Sequence, residues 1–254
     1  MRIALTPILV IVLLAACATE PIPAQRPGRL TARPWARVTT APAPGETHLG
    51  FGGKRDGSVY VPSPPRDDNK YPLMLLLHGA GGVGERIERR MQTLADDFGV
   101  IIVAPDSRGV TWDSSSGSMG PDVEFVDRVL REMFMHYPID PSKIAIAGFS
   151  DGASYALTLG IINGDLFSHI IAFSPGYVAA TYGHGHPQIF ISHGSRDEIL
   201  PLEKTSNIIV PGLRRNGLRV TYREFDGPHT VPPEIAREAM LWWLSGASPR
   251  GGAD

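Results

Sequence analysis

Along the chain, short runs of uninterrupted apolar residues alternate with stretches whose apolar residues recur at helical spacing. Leu73 to Leu77, Val100 to Ala104 and Ile144 to Ala147 are such runs, and each suits a strand buried on both faces. Ile170 to Phe173, Gln188 to Ser192 and Arg219 to Phe225 read as further strands. Between them, Glu85 to Phe98 sets Ile87, Met91 and Leu94 on one helical face. Asp122 to His136 repeats Val123, Val126, Val129, Leu130, Met133 and Phe134 in the same way. Asp151 to Ile162, Leu202 to Arg215 and Pro233 to Leu244 complete the helices, while His48 to Phe51 and Gly57 to Pro62 read as an edge hairpin. The alternation predicts an α/β protein over residues 47–244, with a mostly parallel sheet covered by helices on both faces. The stretch from Phe173 to Gln188 is too short for a large lid domain, and Ser245 to Asp254 has no periodicity and reads as a disordered tail.

The first residues follow a different pattern. Met1-Arg2 precedes an apolar run from Ile8 to Ala16 that is short for a bilayer span and reads as an export signal over residues 1–16. Its end, Leu14-Ala15-Ala16-Cys17, resembles the bacterial lipobox, in which the cysteine becomes the lipidated first residue. Cys17 is the only cysteine, so no internal disulfide is available. By that resemblance the chain is exported to the bacterial cell envelope and lipid-anchored. Ala18 in place of Asp leans towards the outer membrane; a periplasmic or secreted soluble form is the alternative. From residue 17 to 46, Pro21, Pro23, Pro27, Pro34, Pro42 and Pro44 sit among Ala, Thr and Arg, which predicts an extended tether.

With 24 basic and 26 acidic residues among 254, the charge is nearly balanced and nothing suggests a nucleic-acid binder. The 43% apolar content is ample for one core, and no repeat is visible.

Chemistry enters at Gly148-Phe149-Ser150-Asp151-Gly152, between a predicted strand and a predicted helix. A G-x-S-x-G in that setting is the nucleophile elbow of an α/β-hydrolase, with glycines where side chains would clash in so tight a turn. A serine hydroxyl needs an imidazole to take its proton and a carboxylate to hold that imidazole. In this fold the order is Ser, acid, His, each after a strand. His229 follows the last strand in Asp226-Gly227-Pro228-His229, and Asp197 follows the strand at Gln188 to Ser192. Glu198 is the adjacent carboxylate, and Asp106 and Asp113 are fallbacks. An oxyanion hole needs two N–H groups. Asp151 offers one, and Ala80, in the loop His78-Gly79-Ala80-Gly81-Gly82, offers the other. Trp112 and Phe149, with Tyr177 or Tyr182, are expected to wall a shallow, open site. His184-Gly185-His186 lacks a third ligand at useful spacing, so no metal and no cofactor is expected.

The segments LLLHGAGG (75–82), VAPDSRGVTWD (103–113), IAGFSDGA (146–153), HGSRDEILP (193–201) and GPHTVPP (227–233) carry a family resemblance. The chain resembles the carboxylesterase/phospholipase and polyhydroxybutyrate-depolymerase-like, feruloyl-esterase-like branch of the α/β-hydrolases. That resemblance implies a serine carboxylesterase acting on a small ester through an acyl-enzyme on Ser150. The chain departs in carrying Asp151 where several relatives have Ala or Gln, and in having no cysteine in the folded part. A serine peptidase or thioesterase of the same fold, or an inactive envelope-tethered binding protein, are the alternatives. The sequence leaves acyl and alcohol specificity and oligomeric state open.

Overall fold

A computed structural model describes residues 26–34, 38–64, 66, 70–116 and 119–245. The expected signal peptide, Cys17 and residues 246–254 of the expected tail lie outside the described residues.

Eight strands form one sheet: β1 (Gly45–His48), β2 (Gly57–Val61), β3 (Tyr71–Leu77), β4 (Ile101–Pro105), β5 (Ile139–Phe149), β6 (His169–Phe173), β7 (Gln188–Gly194) and β8 (Arg219–Phe225). Their spatial order is β1-β2-β4-β3-β5-β6-β7-β8. The pairs β1–β2 and β2–β4 are antiparallel, and all pairs from β4 through β3 to β8 are parallel. Among the described residues, six α-helices cover the sheet: α1 (Gly84–Arg89), α2 (Gln92–Phe98), α3 (Pro121–His136), α4 (Asp151–Ile162), α5 (Ser206–Arg215) and α6 (Pro233–Ser245).

The uninterrupted apolar runs are explained by burial from both sides. Because successive side chains of a strand point to opposite faces, Leu73, Leu75 and Leu77 of β3 pack with α3, α4 and α5, while Met74 and Leu76 pack with α2 and α6. The chain leaves β3 in one direction to make β4 and returns on the other side as β5. That reversal opens a crevice at the carboxyl ends of β3 and β5, the general ligand position in such sheets.

Three expectations are corrected. The helix expected over Glu85 to Phe98 is two helices, because the Met91 N–H bonds to the Glu88 carbonyl three residues back, a local 3-10 tightening that breaks the ladder. The helix expected from Leu202 is a short 3-10 turn followed by α5 from Ser206. The folded part also begins earlier than residue 47, with β1 from Gly45 and with a docked arm inside the expected tether.

In that arm, Leu30 and Ala32 are each only 2% exposed and belong to the main core. Arg29 makes two 2.6 Å contacts with the Asp165 carboxylate, and the Leu30 N–H donates to Asn163 Oδ1 at 2.9 Å. The N–H groups of Thr31 and Ala32 both donate to Asp127 Oδ1 at 2.7 Å. Gly28 turns the chain at φ 81°, where a Cβ would meet Ile162 Cδ1 at 2.9 Å. A polar, proline-rich segment thus orders on acceptors supplied by α3 and the end of α4.

Candidate active site

Ser150 sits between β5 and α4 with φ 58°, a left-handed backbone rare for a residue with a side chain. Its N–H donates to Phe173 O at 2.9 Å, which ties the turn to β6. A Cβ on Gly148 would come within 2.2 Å of Gly152 O, and one on Gly152 within 2.3 Å of Leu77 O. Both flanking positions therefore admit only glycine, and the strained serine is held by its neighbours on all sides.

Three loops converge on that turn. His229 Nε2 lies 2.9 Å from Ser150 Oγ, and His229 Nδ1 lies 2.6 Å from Asp197 Oδ2. A carboxylate accepts only, so the Nδ1 carries the proton and Nε2 is left as acceptor for the serine hydroxyl. The Asp197 side chain is fully buried and that of His229 is 14% exposed. Asp197 Oδ1 accepts from the N–H groups of Ile199 at 3.0 Å and Leu200 at 2.8 Å. Burial pushes the Asp197 carboxyl up, but the Leu200 N–H, His229 and His193 outweigh it and hold the group below its ordinary range. The neighbouring Glu198 is exposed. Asp106 instead accepts from the Gly84 and Asp56 N–H groups, and Asp113 from those of Gly120 and Asp122, so both are occupied in holding loops.

The loop after β3 is braced from below. Gly79 O receives the Gly82 N–H at 2.9 Å and His78 Nδ1 at 2.8 Å. Gly79 O and the Ala80 N–H belong to one planar trans peptide and point in opposite directions. Pinning the carbonyl inwards therefore turns the Ala80 N–H outwards, beside a Gly79 whose Cβ would lie 3.3 Å from Ser150 Cβ. Among the described residues, neither the Ala80 nor the Asp151 N–H donates within the protein. The Asp151 N–H opens α4, where the helix dipole adds positive character. His78 Nε2 accepts the Ser107 N–H at 3.0 Å, and Arg55 spans Ser107 O and Gly82 O at 2.5 and 2.9 Å. Burial, with the Arg55 charge beside it, lowers the His78 pKa and keeps the ring neutral for these two bonds.

The expected walls differ from the observed ones. Trp112 is 0% exposed: its Nε1 donates to His78 O at 2.8 Å and its ring stacks on Tyr155 at 5.0 Å. It is a core residue, folded under because the Asp151 carboxylate draws its loop down through Thr111 Oγ1 and the Trp112 N–H. Tyr177 braces the other side of Asp151 at 3.1 Å, and burial pushes its hydroxyl up to about 12. Tyr182 is remote and donates to Pro27 O in the arm. Phe149 does face the site, its ring centroid 4.7 Å from that of His229. It also forms one end of a cleft of about 800 Å³ between α1–α2 and α6, with Leu76, Ile87, Leu94, Phe173 and Val231. His184 and His186 lie on an exposed loop. Among the described residues, no group of three His, Cys, Asp or Glu is placed to hold a metal ion. His78, Arg55 and His193 were not singled out from the sequence. The signal for the two histidines is a histidine directly at the end of an apolar strand.

The chain and its fold have parallels in known proteins. The chain is 28% identical over 158 residues to the poly(3-hydroxybutyrate) depolymerase of Ralstonia pickettii, covering 52% of this chain and 32% of that one. It is 26% identical over 165 residues to a probable feruloyl esterase C of Aspergillus clavatus, covering 61% of this chain and 59% of that one. The matches thus span a third to three fifths of these relatives' lengths. The fold superposes on the crystal structure of esterase PE8 with a TM-score of 0.61 at 22% identity, covering 75% of this chain and 98% of that one. The eight-stranded, mostly parallel sheet with helices on both faces is an α/β-hydrolase fold. Residues 50–243 match the family model described as "Putative esterase", and the chain belongs to that esterase family.

Proposed function

We propose that the chain is a serine carboxylesterase that cleaves small esters through an acyl-enzyme on Ser150. The observation that carries this reading is the unbroken line from Asp197 Oδ2 through His229 to Ser150 Oγ, at 2.6 and 2.9 Å. Ser150 Oγ attacks the ester carbonyl carbon while its proton passes to His229 Nε2. The carbonyl oxygen becomes an anion held by the Ala80 and Asp151 N–H groups. Collapse of this intermediate breaks the carbon–oxygen bond, and His229 gives its proton to the departing alcohol. Water then attacks the acyl-enzyme with the same proton movements, releasing the acid and restoring Ser150. Asp197 keeps the imidazole in the productive tautomer and stabilises it when charged. No step calls for a cofactor.

Phe149 and the mainly apolar cleft behind it, which Arg90, Glu234 and Arg237 also line, support an acyl or aryl group with an apolar body. The two curated relatives are named for a polyester and for a feruloyl ester, both compatible with such a group. Export and lipidation at Cys17 rest on the leader and lipobox pattern. The docked arm leaves a shorter tether than the composition suggests.

Ser150→Ala is expected to lower kcat on a short-chain aryl ester by ~10⁶-fold and to abolish labelling by a fluorophosphonate. A variant that keeps its activity sinks the assignment. In a bacterial host, Cys17→Ala is expected to move the protein from the membrane to the soluble envelope fraction; unchanged membrane retention rules out the lipid anchor.

A further inference from the structure

The cleft behind Phe149, about 800 Å³, has the size of a site that takes a whole small ligand, and its polarity is sorted by depth. Its buried lining is Leu76, Met91, Phe173 and Ala236, each 5% exposed or less. The polar side chains along it, Arg90, Thr93, Glu234 and Arg237, are all exposed and stand at its rim. No buried side chain along the cleft carries an oxygen or nitrogen, so what its floor rewards is buried hydrocarbon. The groove of about 460 Å³ that His229 itself lines is different in kind, with Arg196 and Glu198 beside Ile199 and Pro228.

The Phe149 ring is the partition between the apolar cleft and the serine. Its centroid lies 4.7 Å from that of His229, and its Cδ1 lies 3.5 Å from where a Cβ on Gly79 would stand. The ring thus fills the gap between the imidazole and the loop after β3. On the mechanism above, the oxyanion turns to the Ala80 and Asp151 N–H groups and the leaving oxygen to His229 Nε2. The charged groove beside His229 therefore falls to the alcohol, and the acyl carbon is left the direction between the two, over the ring. We propose that the apolar cleft is an acyl-chain subsite for unbranched, saturated acyl groups of medium length, with Phe149 as the partition they pass and Leu94 as a wall that limits them. This rests on the reading of Ser150, His229 and Asp197 as the reacting line. An unbranched chain is specified because it must pass the ring where the ring fills the gap. A chain of medium length is specified because only the methylenes beyond that point reach the buried floor.

The test is steady-state hydrolysis of a series of methyl esters, from acetate to octanoate, by the full chain. Heptyl acetate, the isomer of methyl octanoate, moves the same hydrocarbon to the alcohol. Beyond butanoate, kcat/KM is expected to rise about three- to fourfold per methylene, and so on the order of a hundredfold by octanoate. Heptyl acetate is expected to be cleaved at least about tenfold less well than methyl octanoate. Leu94→Trp, which places an indole in the cleft from α2, is expected to cut the octanoate-to-butanoate ratio about tenfold or more. A flat or falling series overturns the proposal, and so does heptyl acetate cleaved as well as methyl octanoate. Both results come from the wild type and stand even where Leu94→Trp fails to fold. A folded Leu94→Trp protein with an unchanged ratio overturns it too. Absence of Ser150-dependent hydrolysis of every ester refutes the esterase reading and the subsite with it, whereas a flat series on a Ser150-dependent activity refutes the subsite alone.

Discussion

The dipeptide His-Gly occurs twice at the carboxyl end of a buried strand, as His78-Gly79 after β3 and His193-Gly194 at the end of β7. In both, a fully enclosed, neutral imidazole braces the loop above it. The outcomes are opposite. His78 draws a carbonyl inwards through Nδ1, which turns the next N–H out towards Ser150. His193 donates through Nε2 to Leu200 O, in the turn whose N–H groups hold the buried Asp197 carboxylate that faces His229. In the proposed mechanism, one strand end presents a hydrogen-bond donor for an anion and the other an anion for a proton carrier. The protonated nitrogen of the ring, set by its second partner, decides which. The deciding partner is the Ser107 N–H, which can only donate, for His78 and the Leu200 carbonyl, which can only accept, for His193.

The sharpest way to break this comparison is to remove the working group at each strand end. On the proposed mechanism, Asp197→Asn lets the amide donate where the carboxylate accepted, so His229 adopts the wrong tautomer and kcat falls ~10⁴-fold. His78→Leu leaves Gly79 O held by the Gly82 N–H alone and loosens the Ala80 N–H, with kcat expected to fall by up to about a hundredfold and KM much less affected. Steady-state kinetics on one aryl ester compare the two directly. Equal losses would mean that the loop after β3 does more than place one donor.

The two glycines sharpen the contrast. At Gly194 a Cβ would come within 2.3 Å of Gly227 O and 2.6 Å of Pro228 O, the backbone that carries His229. At Gly79 its nearest neighbours would be Ser150 Cβ at 3.3 Å and Phe149 O at 3.4 Å. Gly194→Ala therefore has to displace the His229 loop, at a cost of about 2–3 kcal/mol, and should lose activity with it. Gly79→Ala needs a shift of a few tenths of an ångström and should cost under ~1 kcal/mol. Denaturant unfolding of the two variants ranks them; the reverse order contradicts the packing described for the acid turn.

The parts that could be read from sequence are those with local causes. Apolar runs report strands buried on both faces, and the glycines around Ser150 report a turn that excludes side chains. Partners supplied from far along the chain leave no local trace. Leu30 sits in a polar, proline-rich stretch and is buried because Asn163, Asp165 and Asp127 wait on the folded body. Trp112 lies in a loop rich in glycine and serine, where its sequence position points to a wall of an open site. It is buried because Asp151 draws its loop down and His78 O accepts its indole N–H. The two strand-end histidines read in sequence as parts of glycine turns, since a brace beneath a loop is visible only once its carbonyl partner is in place.

The smallest expected effect concerns the neutrality that both braces share. Burial lowers the pKa of His78 and of His193, and it lowers that of His169, packed edge-on against Trp242, to about 4, with the Arg219 charge adding to the shift. For a base whose folded pKa is depressed, the unfolded chain binds the extra proton. Stability is therefore complete above the ordinary histidine value and is lost as pH falls through the window down to the folded value. For His169 that window runs from 6.5 to about 4. Unfolding free energy should decline over this range, with His169 contributing on the order of 1–2 kcal/mol. His169→Asn should remove that part of the slope and leave the part due to the two braces. If the slope of the variant vanishes altogether, His78 and His193 are not both neutral in the folded state, and the likeness between the two strand ends fails at its root.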